Sequence, residues 1–135
     1  MYNTILIPTD FSDEESTIQA LKKAERLSDD GRIVLLHVLA DIPAFVLVEL
    51  PAHIIQEQVP QTKKTLTEMV KKSGVKADIE VRKGQSYNSI IQEAKDIDAD
   101  LILMNSHQPG LQDYLLGSTA AKVVRHATCS VLVDR

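Results

Sequence analysis

Hydrophobic positions along the chain fall into short continuous runs separated by longer stretches of helical periodicity. Ile5-Leu6-Ile7 is a buried-strand pattern that stops at Pro8-Thr9-Asp10, where breaker and turn residues take over. Ser12 and Glu15 have the spacing of a capping box. Ile18, Leu21, Ala24 and Leu27 then recur at helical intervals, predicting a helix closed by Gly31. Ile33 to Leu39 is a second, nearly continuous apolar run, as expected where helices cover both faces of a parallel sheet. Pro43, Pro51 and Pro60 break up the next segment, which predicts short helical pieces around the apolar Phe45-Val46-Leu47-Val48. A helix over Gln61–Ser73 follows, and Gly74 stops it.

From Val75 to Arg82 apolar and charged residues alternate, which marks a half-exposed strand at a sheet edge. Tyr87, Ile90, Ile91, Ala94 and Ile97 form another amphipathic helical pattern. Leu101-Ile102-Leu103-Met104 is a fourth strand, Ser118 opens a small-residue helix over Thr119–Ala127, and Val131-Leu132-Val133 is the last strand. Strands alternating with helices argue for the α/β class, an open parallel sheet with right-handed crossovers and helices on both faces. No repeat, low-complexity tract or linker interrupts the pattern, so residues 1–135 are expected to be a single domain.

Composition narrows the classes. A chain of 135 residues buries enough surface to fold without a disulfide or metal. Its one cysteine, Cys129, excludes an intramolecular disulfide and fits a reducing compartment. Lys plus Arg number 15 against 19 Asp plus Glu, a net charge of −4 that repels phosphate backbones and argues against a nucleic-acid partner. Met1-Tyr2-Asn3-Thr4 followed by a short apolar run is no signal peptide, and no apolar run is long enough for membrane insertion. The expectation is a cytoplasmic protein.

In open parallel sheets ligands bind beyond the carboxyl ends of strands, where strand order reverses. With the first strand central, two loops border that crevice: Pro8-Thr9-Asp10, and the long linker Asn105–Gly117. Gly117-Ser118-Thr119 ends the linker at a helix start, where unpaired N–H groups, the helix dipole and two hydroxyls suit a phosphate. Ser118 as a plain N-cap is the competing reading. Asp10 could accept from a ribose or cap the following helix. Asp13-Glu14-Glu15 places negative charge beside the first strand, which pushes a phosphate chain toward the linker side, where Asp113 is the sole acidic residue.

The four histidines form no metal site. His37 reads as a packed, hydrogen-bonded strand residue, His53 lies in the proline-broken segment, and His126 suits a helix C-terminus. His107, in the long linker, is the one placed to touch a ligand. Cys129 has no CxxC partner and reads as core. There is no G-x-x-x-x-G-K-[ST], no G-x-G-x-x-G after the first strand, and no acidic phosphoacceptor after the third. No Ser–His–acid arrangement emerges, and no catalytic residue is nominated.

The runs Ile5-Leu6-Ile7-Pro8-Thr9-Asp10, Leu36-His37-Val38, Ala99-Asp100-Leu101-Ile102-Leu103-Met104 and the block Gly117 to Val133 resemble the universal stress protein family over nearly the whole chain. The resemblance implies a five-stranded parallel sheet of order 3-2-1-4-5, a dimer, and ATP bound through G-x-x-G followed at a set distance by G-[ST]. Carried over, adenine would sit near Val38 and ribose near Asp10, with Pro8, Thr9 and Met104 as further nucleotide-binding residues. Phosphates would lie near the linker loop and Gly117, Ser118 and Thr119, with Asn105, Ser106, His107 and Gly110 of that loop also counted as nucleotide-binding. Ser106-His107-Gln108-Pro109-Gly110 resembles the Ser-His-Arg-Pro loop of a nucleotide-binding subgroup. Asn105 and Gln108 occupy the first two glycine positions, and Pro109 to Leu116 is one residue short of the family spacing.

Three functions follow as expectations. The first is a regulatory module of the stress response that binds ATP, ADP or AMP, with Mg2+ held through the phosphates. The second is a weak ATPase or self-phosphorylating protein. The third is a nucleotide-free interaction module that contacts an unknown protein partner through Phe45–Val48. The apolar edge at Val131, Leu132 and Val133 suits a homodimer, with a tetramer left open.

Overall fold

The computed structural model describes residues 1–105 and 117–134. Along the chain run β1 (Tyr2–Pro8), α1 (Glu14–Leu27), β2 (Ser28–Leu39), α2 (Ala44–Leu47) and α3 (Ala52–Ser73). Then come β3 (Asp78–Lys83), α4 (Ser86–Asp96), β4 (Leu101–Asn105), α5 (Ser118–His126) and β5 (Ser130–Asp134). The strands form one five-stranded sheet in the order β3-β2-β1-β4-β5, and every paired neighbour is parallel. The α/β class and the strand order expected from the sequence are both observed.

β1 occupies the centre, and Ile5, Leu6 and Ile7 are at most 2 % exposed. A strand alternates its side chains between faces. Ile5 and Ile7 therefore join Leu21, Ala24, Leu66 and Met69 of α1 and α3, while Leu6 joins Ile90, Ala94, Ala120 and Val123 of α4 and α5. Each fully buried branched side chain contributes about 2 kcal/mol. Both faces of the sheet are covered, which is why its inner strands read as continuous apolar runs.

Several boundaries differ from the expected ones. α1 is capped by Asp13, whose carboxylate accepts from the Ser16 N–H at 3.1 Å and the Ser16 hydroxyl at 2.7 Å. Ser12 is drawn away instead, donating its hydroxyl to Asp10 at 2.6 Å. Gly31 does not close α1, which ends at Leu27; it lies within β2. There the Asn3 backbone comes so close that a Cβ would sit 2.0 Å from its carbonyl oxygen, beside an irregular step in the β1–β2 register.

α3 begins at Ala52 and continues through Pro60 rather than starting at Gln61. Proline removes one N–H, but the partner carbonyl of Gln56 lies on an exposed part of the helix where water can reach it. β3 starts at Asp78, because Gly74 turns the chain at φ 71° and the Ser73 hydroxyl ties down the Val75 N–H. Its outer position matches the alternating pattern. Arg82 of β3 pairs with the buried Glu93 at 2.6 Å and with Asp96, fastening this edge to α4.

Asp100, just before β4, clamps the centre of the sheet. Its carboxylate accepts from the Asn3 and Thr4 N–H groups at 2.8 Å each, and its own N–H donates to the Thr4 carbonyl at 3.0 Å. Burial alone pushes this carboxyl up, but the backbone donors, led by Asn3 and Thr4, and the nearby N-terminal charge together hold it below the usual carboxylate range. A depressed pKa contributes stability that is complete above the unfolded-chain value of about 3.9 and is lost as pH falls through the lower folded value. Asp100→Asn should therefore lower the urea midpoint at pH 7. The gap to wild type should close as the pH is taken below about 4; a pH-independent gap would contradict the clamp.

Candidate functional site

β1 feeds α1 and β2 to one side, while β4 flanks it on the other, so strand order reverses at β1. Beyond the carboxyl ends of these strands lies a cleft. Pro8 at the end of β1 and Thr9 and Asp10 after it run along its floor, with His37 and Val38 from β2 beside them. Met104 and Asn105 close it from β4, and Gly117, Ser118 and Thr119 border it at the start of α5. Every described residue of the expected site therefore lines one cleft. Ser106, His107 and Gly110 lie outside the described residues, as does the rest of the Ser-His-Arg-Pro-like loop.

Thr9 is held on all its polar atoms. Its N–H donates to the Leu36 carbonyl at 2.8 Å, its hydroxyl meets that of Thr17 at 2.9 Å, and its carbonyl accepts from His37 Nδ1 at 2.7 Å. A carbonyl can only accept, so Nδ1 carries the proton. His37 is the packed, hydrogen-bonded histidine expected. Asp10 does not cap α1: its Oδ1 accepts from the Ser12 N–H at 2.9 Å and the Ser12 hydroxyl at 2.6 Å. The side chain is exposed to the cleft.

Three helices start at this cleft, and they differ in charge. α1 is capped by Asp13 and carries Glu14 and Glu15 in its first turn. α4 and α5 have Gln85 and Gly117 at their N-cap positions, no side-chain cap bond, and no acidic residue in the first turn. Ser118 is thus the first residue of α5, not its cap, and it borders the cleft. Helix N-termini carry partial positive charge and orphan N–H donors. One end of the cleft is therefore acidic and the other electropositive, with no lysine or arginine among the described residues that line it.

Ser12, Asp13, Ser16 and Thr17 also line the cleft, as do Ser86 and Ile90 from α4. Sequence reasoning missed them. Ser86 was findable, since it follows the third strand and opens a helix, as Ser118 does. Ser16 and Thr17 were not, because their contact depends on how α1 turns over the floor. Cys129 is partly buried against the α4–α5 side of the core, and burial pushes its thiol pKa up. Among the described residues no group of three His, Cys, Asp or Glu side chains could hold a metal ion, and no helix is long and apolar enough to cross a membrane.

An open α/β sheet with a polarised cleft at its switch point has the architecture in which ligands bind beyond the carboxyl ends of the strands. The universal stress protein family model matches residues 1–135, and the chain belongs to that family. It is similar to universal stress protein G of Salmonella typhimurium, with 32 % identity over the whole of both chains. The solved structure of hypothetical protein MJ0577 superposes with a TM-score of 0.78 at 29 % identity, covering 98 % of this chain and 95 % of that one. Two further structures share the fold. A universal stress protein in complex with cAMP has a TM-score of 0.69 at 20 % identity, covering 99 % and 97 %. One from Archaeoglobus fulgidus in complex with dAMP has 0.68 at 17 %, covering 99 % and 98 %.

Proposed function

We propose that the cleft binds an adenine nucleotide (ATP, or its ADP or AMP forms) and that the protein is a cytoplasmic regulatory module of the stress response. The observation that carries this reading is the polarity of the cleft. A ribose finds a carboxylate acceptor in Asp10, and an anionic phosphate chain finds the uncapped N-termini at Ser118, Thr119 and Ser86. Val38, Met104 and Ile90 supply apolar surface for a base. The cAMP and dAMP complexes are facts about those two proteins; they support the reading because the fold they share with this chain accommodates adenine nucleotides. Mg2+ enters on the phosphates rather than on a protein ligand set. No catalytic residue is assigned, and any turnover is limited to slow ATP hydrolysis or self-phosphorylation.

A second reading is an interaction module that needs no nucleotide. It is favoured by Phe45 at 77 % and Val48 at 87 % exposure, on and just after the short α2. Under either reading the working unit is a homodimer paired along β5. This strand is an edge whose Leu132 is exposed and whose Val131 and Val133 are only partly buried.

Titration calorimetry with ATP, ADP and AMP tests the leading reading. Wild type should bind, and Ser118→Ala should weaken ATP about fivefold, the size of one lost hydrogen bond, while affecting AMP less. Undetectable binding of all three nucleotides to wild type would overturn it. Sedimentation at micromolar concentration should return twice the chain mass; a monomer would refute the dimer.

A further inference from the structure

Phe11 follows Asp10 in the turn between β1 and α1, and its backbone sits at φ 67°. That left-handed region is costly for a bulky side chain and persists only where the surroundings hold it. What holds it is His37. The two rings stack with centroids 4.0 Å apart and planes inclined by 17°. The imidazole is itself fixed by its Nδ1–H bond to the Thr9 carbonyl, at 2.7 Å. The Phe11 N–H returns to the Thr9 hydroxyl at 3.3 Å, and the ring packs against the core beneath α1.

Asp10 is therefore bracketed. On one side stands Thr9, bonded through its N–H, carbonyl and hydroxyl; on the other stands Phe11, pinned in a conformation that it would otherwise leave. The Ser12 N–H and hydroxyl both occupy Oδ1 of Asp10. The second carboxylate oxygen has no partner among the described residues, and the side chain borders the cleft. A carboxylate oxygen left open beside the cleft suits a hydroxyl donor.

We infer that Phe11 and His37 are a positioning pair that aims the Asp10 carboxylate at a ribose hydroxyl, making the cleft selective for ribonucleotides over deoxyribonucleotides. This rests on the nucleotide reading and adds the sugar class to it. Neither ring needs to touch the ligand. Removing the Phe11 ring frees the loop, and the acceptor loses its aim while the base and phosphate contacts stay.

The test measures affinities for ATP, 2′-deoxyATP and 3′-deoxyATP. A hydrogen bond to a charged acceptor predicts that wild type binds ATP about tenfold tighter than at least one deoxynucleotide. Phe11→Gly keeps a residue at ease with positive φ but drops the ring. It should lose that tenfold for ATP while binding the disfavoured deoxynucleotide as wild type does. Phe11→Tyr, which retains the stack, should keep the preference. In an Asp10→Ala background Phe11→Gly should have no further effect on ATP affinity. Circular dichroism confirms that each variant is folded. A preference that survives Phe11→Gly, or equal wild-type affinity for all three nucleotides, overturns this inference and leaves nucleotide binding standing. Failure of wild type to bind any of them overturns both.

Discussion

Burial of β1 on both faces is the constraint on which the rest depends. Ile5, Leu6 and Ile7 leave it no solvent-facing side, so helices must cover the sheet above and below. Parallel neighbours on both edges require crossovers, and crossover helices in such a sheet run back against the strands. Their N-termini therefore gather at the carboxyl edge of the strands. The cleft follows from that packing: it lies where the chain leaves β1 and where α4 and α5 begin.

Electrostatics at the cleft is then set by capping rather than by basic side chains. Asp13 satisfies the N-terminus of α1 internally and makes that end acidic. Gln85 and Gly117 leave α4 and α5 without a side-chain cap. A net charge of −4 is consequently compatible with a local anion site, because the attraction comes from backbone N–H groups within the first turn. A whole polyanion would meet the acidic surface, whereas a single nucleotide bound as proposed would meet only the cleft.

How much was legible in the sequence varies with how local the cause is. Apolar runs such as Leu101 to Met104 announce their strands because burial on both faces demands them. The cleft residues after β1 and at the start of α5 follow from the rule that ligands sit at strand carboxyl ends. The cap of α1 was misplaced because Ser12 and Asp13 are both good caps, and the choice is made by Asp10 capturing the Ser12 hydroxyl. Pro60 suggested a helix start, yet an exposed partner carbonyl lets α3 run through it. Neither the left-handed turn at Phe11 nor its stack on His37 leaves a one-dimensional trace, since the partners are brought together only when β2 lies beside β1.

Proposed nucleotide placement across this polarised cleft can be read out residue by residue in an amide-resolved NMR titration with ATP. The largest shifts are expected at the N–H groups of Ser86, Ser118, Thr119 and Ala120, with a second group at Asp10 and Val38. Shifts centred on Glu14 to Thr17 of α1, or on Phe45 to Val48, would contradict it.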